Sequence, residues 1–161
     1  MKHHTLKTIM TFLYGMLLIV GCDNSTGPET PESATISGTI TFTGTWPSSD
    51  YVYVSLNSTW PPQGVPAASK QILSSDVDVT NNTFSYTFDN VTFGTYGSIA
   101  ASWMDVTDTN PATNQYTLGA YGGSAVAGFM DAADISCSTT EYSVTGLDFT
   151  ANLSLAVASG N

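Results

Sequence analysis

Thr83-Phe84-Ser85-Tyr86-Thr87-Phe88-Asp89-Asn90 decides the fold of this chain. Large apolar side chains sit at every second position, with small polar ones between. A strand turns successive side chains to opposite faces, so this pattern gives a ribbon with one buried and one wet face. Asp89-Asn90 and Gly94 then supply turn chemistry. The same period of two recurs on both sides. Ile36, Ile40 and Phe42 alternate with Thr35, Ser37, Thr39 and Thr41. Val52, Val54 and Leu56 alternate with Tyr51, Tyr53 and Ser55. Leu147, Phe149, Ala151, Leu153 and Leu155 alternate with Asp148, Thr150, Asn152 and Ser154. Segments 95–104 and 115–121 add two further strands, and 71–79 suits another, with Val77 and Val79 set against Asp76 and Asp78.

Turns separate these runs at Ser48-Ser49-Asp50, Asn81-Asn82 and Gly122-Gly123. From residue 22 onward nothing shows a helical period, although Ala125 to Ala133 suits a short helical turn. The expectation is an all-β fold: a single antiparallel β-sandwich of about seven strands over residues 34–161. A body of that size buries about two-thirds of its chain surface.

The start of the chain differs in composition. Lys2 and Lys7, with His3 and His4, precede the apolar run Ile9–Val20, which closes on Ile19-Val20-Gly21-Cys22. The run falls short of the roughly 20 residues of a transmembrane helix and suits a signal-peptide core. Bulky Ile19, three residues before Cys22, argues against ordinary secretory cleavage. Ile19-Val20-Gly21-Cys22 resembles the lipobox of bacterial lipoproteins. The resemblance implies a signal peptide over residues 1–21, acylation of Cys22 and a membrane partner held through acyl chains. It places the protein outside the cytoplasm, with the outer membrane or cell surface favoured. Residues 22–33, with two prolines, three acids and no large apolar side chain, read as a disordered tether.

Removal of that leader changes the chemistry. The chain carries 3 Lys plus Arg, 13 Asp plus Glu and a net charge of −10. All the acids come after Cys22, whereas Lys70 is the one cation that does, so the remainder stands at −12. Such a surface repels phosphate backbones, which argues against nucleic acid, and anionic lipid headgroups as well. With no His or Arg beyond the leader, Ser-His-Asp and Cys-His catalysis, His-rich zinc sites and bidentate phosphate grips are excluded. Paired carboxylates, as in glycoside hydrolysis, are the remaining catalytic chemistry. No two acids are paired by the sequence, so the expectation is a protein without enzymatic activity. With Cys22 acylated, Cys137 reads as a single, small buried residue.

The sequence offers two candidate ligand sites. The first is aromatic: Trp46, Tyr51, Tyr53, Trp60 and Trp103, with Tyr116 and Tyr121. If Val52 and Val54 face the core, Tyr51 and Tyr53 face out, where flat rings near Asp and Asn can stack sugars. Trp46-Pro47 and Trp60-Pro61-Pro62 sit in loops, where such platforms form, although the tryptophans would equally serve to cap the ends of the sandwich. The second is oxygen-rich: Asp105, Asp108 and Asn110, with Asp131 and Asp134. Closely spaced oxygens in loops suit calcium, though without EF-hand spacing; solvated turn caps are the plainer alternative.

Ser37-Gly38-Thr39-Ile40, Tyr51-Val52-Tyr53-Val54-Ser55-Leu56 and Phe84 through Tyr96 together resemble a transthyretin-like domain of the carboxypeptidase-regulatory-like kind, over roughly residues 34–105. That resemblance implies a seven-stranded, Greek-key-like sandwich, mostly non-catalytic in its family. Beyond Ser102 the chain departs from the pattern. The expected role is therefore a lipid-anchored surface or periplasmic binding or structural module, with a glycan or an envelope protein as partner. The alternative is a carbohydrate-binding accessory lipoprotein with structural calcium.

Overall fold

The computed structural model describes residues 29–49, 51–111 and 113–156. The leader 1–21, Cys22 and the tether as far as residue 28 lie outside the described residues. The chain divides into two units, Met1–Thr30 and Pro31–Asn161. Every strand described belongs to the second unit.

The fold is all-β. Among the described residues ten strands appear in order: β1 (Ala34–Thr43), β2 (Val52–Asn57), β3 (Ala68–Ile72), β4 (Thr83–Val91), β5 (Gly94–Tyr96), β6 (Ser98–Met104), β7 (Gln115–Ala120), β8 (Ile135–Cys137), β9 (Ser143–Val144) and β10 (Phe149–Asn152). One sheet has the order β10-β1-β4, with β9 also on β1; a second has the order β3-β2-β6-β7; β5 and β8 form a small third sheet. The two larger sheets share one core. Ile36, Ile40, Phe84, Tyr86 and Phe88 meet Val52, Val54, Leu56, Ile72, Ile99 and Leu118 in a single apolar cluster. Each fully buried Ile, Leu or Val contributes about 1.5–3 kcal/mol of transfer free energy.

The structure departs from the antiparallel expectation in one region. β9 and β10 both run parallel to β1, with Ile36 opposite Val144 and Ile40 opposite Phe149. Between these pairings the C-terminal segment crosses Gly38. There the Leu147 amide donates to the Ser37 carbonyl at 3.2 Å, and the Leu147 carbonyl accepts the Tyr86 hydroxyl at 2.6 Å. The Asp148 carboxylate accepts the Thr39 amide at 2.7 Å, replacing a backbone partner where the ladder is interrupted. A Cβ on Gly38 would overlap the Leu147 carbonyl and lie 2.7 Å from the Tyr86 hydroxyl. A second glycine makes the other close approach: a Cβ on Gly119 of β7 would overlap the Thr150 carbonyl and lie 3.0 Å from Ala151 Cα. Glycine inside a strand marks such places.

Other differences have local causes. The third strand falls at 68–72 rather than 71–79, because Leu73–Asp76 closes a 3-10 turn in which the Asp76 carboxylate accepts the Leu73 amide at 3.0 Å. The long C-terminal alternation is a strand only over Phe149–Asn152; Leu153–Leu155 tightens into 3-10 helix, with the Asn152 side chain accepting the Ser154 amide. The short helical turn expected after residue 125 is a 3-10 helix at Ala125–Ala127. β8 and β9 were not expected at all.

Gly38→Ala and Gly119→Ala should each lower unfolding free energy by about 1–3 kcal/mol, since the added methyl displaces backbone rather than a flexible side chain. Tyr86→Phe leaves the Leu147 carbonyl without its phenol and should cost a similar amount, about 1–3 kcal/mol. Burial pushes the Tyr86 pKa well above its ordinary value, with Asp148 and Tyr121 adding to the effect. Because the folded state holds that proton more tightly, the stabilisation is full below the unfolded tyrosine pKa of about 10 and is lost as pH rises past it. Urea titrations at about pH 8 and pH 11 should show an alkaline loss of stability that Tyr86→Phe diminishes.

Candidate functional site

Strand alternation places Tyr53, Ser55 and Asn57 of β2 on the face of the second sheet opposite Val52, Val54 and Leu56, which are buried in the core. Pairing aligns neighbours across all four strands. Tyr53 stands opposite Gln71 of β3 on one side and Ser102 of β6 on the other, and Ser102 stands opposite Thr117 of β7. One step along, Ser69, Ser55 and Ala100 form a second row. The pairing of β6 with β7 shifts between Ala101 and Ser102, so Leu118 is the extra residue and turns into the core. Small side chains therefore floor the middle of this face, while larger ones stand around it. The result is a cleft of about 300 Å³, bounded by Tyr53, Met104 and Gln115 and by the loop carrying Trp60, Pro62, Gly64 and Pro66.

Trp60 is held from behind. Its indole N–H donates to the Phe129 carbonyl at 2.6 Å. Its ring packs against a small apolar cluster of Ala100, Ala120 and Phe129. Gly97 leaves room for this loop, because a Cβ there would overlap the Trp60 amide nitrogen. The Trp60–Pro61 peptide is cis. Phe129 adopts a positive φ of 61°, within the loop that Ser124 and Asp131 close. The Asp131 carboxylate accepts the Ser124 amide and the Ser124 hydroxyl, both at 2.8 Å. Those bonds, the amide first, hold the Asp131 pKa below the ordinary carboxylate value.

The lining side chains include no carboxylate, imidazole, thiol or amine; Tyr53 is the one titratable group among them. The Asn57 amide, almost fully buried, reaches only the Ser55 hydroxyl and carbonyl, at 3.2 and 3.3 Å. Among the described residues, the side chains of Tyr53, Ser69, Ser102, Gln115 and Thr117 make no hydrogen bond and remain open to a ligand.

The five aromatic residues singled out from sequence do not form one plane. Tyr53 and Trp60 share the cleft. Trp103 lies in the core at 5% exposure, its indole donating to the Ser49 hydroxyl at 3.3 Å and its ring 5.5 Å from Tyr116. Trp46 packs edge-on against Phe42 at 5.1 Å and borders a separate hollow with Val77, Val79 and Leu153. Tyr51 is exposed just before β2 and does not line the cleft.

The oxygen-rich set resolves into turn chemistry. Asp105 is buried, and its carboxylate accepts the Thr107 amide at 2.8 Å and hydroxyl at 2.6 Å. The Asp108 carboxylate accepts the Asn110 amide at 2.9 Å and the Thr113 hydroxyl at 2.7 Å. Among the described residues no three His, Cys, Asp or Glu side chains converge as metal ligands. Asp131 instead closes the loop behind Trp60, and Asp134 is exposed. Cys137 is buried, its thiol facing the Thr92 carbonyl at 3.6 Å.

No protein-family model matches the chain, nor does any curated protein or solved structure. No helix among the described residues is long and apolar enough to cross a membrane.

The Ser124–Asp131 clasp should respond to acid. A depressed carboxylate pKa contributes stability that is full above the unfolded value of 3.8 and is lost as pH falls below it. Amide hydrogen exchange should therefore show Ser124 protected near neutral pH and progressively opening as pH falls below the unfolded carboxylate value. Asp131→Asn should flatten that dependence and also loosen the Phe129 segment.

Proposed function

We propose that this chain is a non-catalytic, lipid-anchored binding module of a bacterial envelope, and that its binding site is the cleft between Tyr53 and Trp60. The cleft carries the reading. It is a preformed concavity with two aromatic side chains and several unengaged polar ones, the usual make-up of a ligand site. Trp60 is fixed by a hydrogen bond and by packing, so little order has to be gained on binding. A lining of hydroxyls and amides, with no general base beside them, supports binding without turnover.

The lipobox-like Ile19-Val20-Gly21-Cys22 supports acyl chains on Cys22 and a place outside the cytoplasm, on the outer membrane or cell surface. Each buried methylene adds about 0.8 kcal/mol, so two or more chains anchor stably without help from an acidic protein surface. The segments behind the transthyretin-like resemblance fall on β1, β2, β4 and β5, which supports a domain of that kind.

Two measurements test this. Mass spectrometry of the mature protein should find Cys22 as the acylated first residue, and Cys22→Ala should abolish acylation. In a polyoxyethylene detergent, which removes retention through the acyl chains, the detergent-insoluble envelope fraction should retain the acylated wild type more strongly than Ser102→Trp, whose indole fills the cleft floor. Equal retention of both, with equal melting temperatures, would place the binding surface elsewhere.

A further inference from the structure

Resting on the reading that the cleft is the binding site, we propose that its ligand is an uncharged glycan. The cleft offers nothing to an ion. Its lining holds no Lys or Arg for an anion and no Asp or Glu for a cation. An ion desolvated there would find hydroxyls and amides but no countercharge, and a buried unpaired charge is strongly unfavourable. An anion is further opposed by the whole domain, since Lys70 is the lone Lys or Arg among the described residues and twelve acids lie beyond residue 28.

A purely apolar occupant fits no better. It would cover the Ser69 and Ser102 hydroxyls, the Thr117 hydroxyl and the Gln115 amide without offering them a hydrogen bond. Each buried polar group left unsatisfied costs about 1–3 kcal/mol. A sugar ring satisfies both demands. Its hydroxyls donate and accept toward these side chains, and its C–H faces lie against the Tyr53 and Trp60 rings. The mixture of small hydroxyl side chains on a rigid sheet with two aromatic edges is thus matched in polarity and in lack of charge. A cleft near 300 Å³ stands at the small end of ligand sites, which suits a short stretch of a glycan rather than a large domain.

The test uses acylated protein in a polyoxyethylene detergent, which carries no sugar headgroup. Native gels are cast with neutral polysaccharides (dextran, galactomannan, arabinoxylan and mixed-linkage β-glucan) and, separately, with alginate as the acidic comparison. The expected result is retardation by at least one neutral polymer and none by alginate. Tyr53→Ala should weaken that binding about tenfold or more, a loss of about 1.4 kcal/mol. Thr117→Val, which keeps the side chain's shape and removes its hydroxyl, should weaken binding without lowering the melting temperature. Trp46→Ala, away from the cleft, should bind as wild type. No retardation by any neutral polymer, retardation by alginate alone, or binding indifferent to Tyr53→Ala and Thr117→Val would overturn the proposal. If envelopes still discriminate wild type from Ser102→Trp while neutral glycans fail, the cleft remains the site and its ligand is of another class. If both fail, the cleft is not a binding site.

Discussion

The Tyr86 hydroxyl reaches across Gly38 to the Leu147 carbonyl, and the seating of the C-terminal strands on β1 depends on that contact. Tyr86 belongs to β4, Gly38 to β1 and Leu147 to the segment joining β9 and β10. One hydrogen bond thus ties β4 to the C-terminal segment across β1, between residues far apart in sequence. Because Gly38 has no side chain, the C-terminal segment can lie directly on β1 rather than stand off from it. β10 then continues alongside β1 and meets β7 where Gly119 again removes a side chain. The two large sheets are joined by the shared apolar core and by the close backbone approach of Gly119 to Thr150 and Ala151.

That rigidity carries through to the candidate site. The cleft lies on the far side of the sheet whose inner face builds the core, so its floor inherits the order of β2, β6 and β7. Its wall depends on a longer chain of support: the Asp131 clasp on Ser124 closes a loop, the loop presents the Phe129 carbonyl, and that carbonyl holds the Trp60 indole. Disturbing a carboxylate distant from the cleft should therefore alter its wall while leaving its floor intact.

Much of the fold was legible in the sequence because one-sided burial writes itself as a period of two. Ile36, Ile40, Phe42, Val52, Val54, Leu56, Phe84, Tyr86 and Phe88 were all expected inside and all are. The parallel pairing of β9 and β10 was not legible, since alternation records which face is buried and not which neighbour is paired. Strands of two and three residues, such as β9 and β8, are too short to show any period. Val77 and Val79 misled for a related reason: they alternate with acids but lie beyond the edge strand, and Val79 is exposed.

The site was less legible than the fold. Tyr53 and Trp60 could be named, but their grouping with Ser69, Ser102 and Thr117 depends on the order β3-β2-β6-β7. Serines and threonines scattered over four strands form no motif. Trp103 looked like a platform residue until its register placed it opposite Val52, facing inward. Gly97 and Gly119 were the unread signals, since a glycine within or beside a strand often marks a close approach. The most direct test of the central contact is nuclear Overhauser spectroscopy of the intact protein. Cross-peaks from the Gly38 α-protons to both the Tyr86 ring and Leu147, with a slowly exchanging Tyr86 hydroxyl proton, are the expected result. Missing Gly38–Leu147 cross-peaks, with a Tyr86 hydroxyl in fast exchange with water, would contradict it.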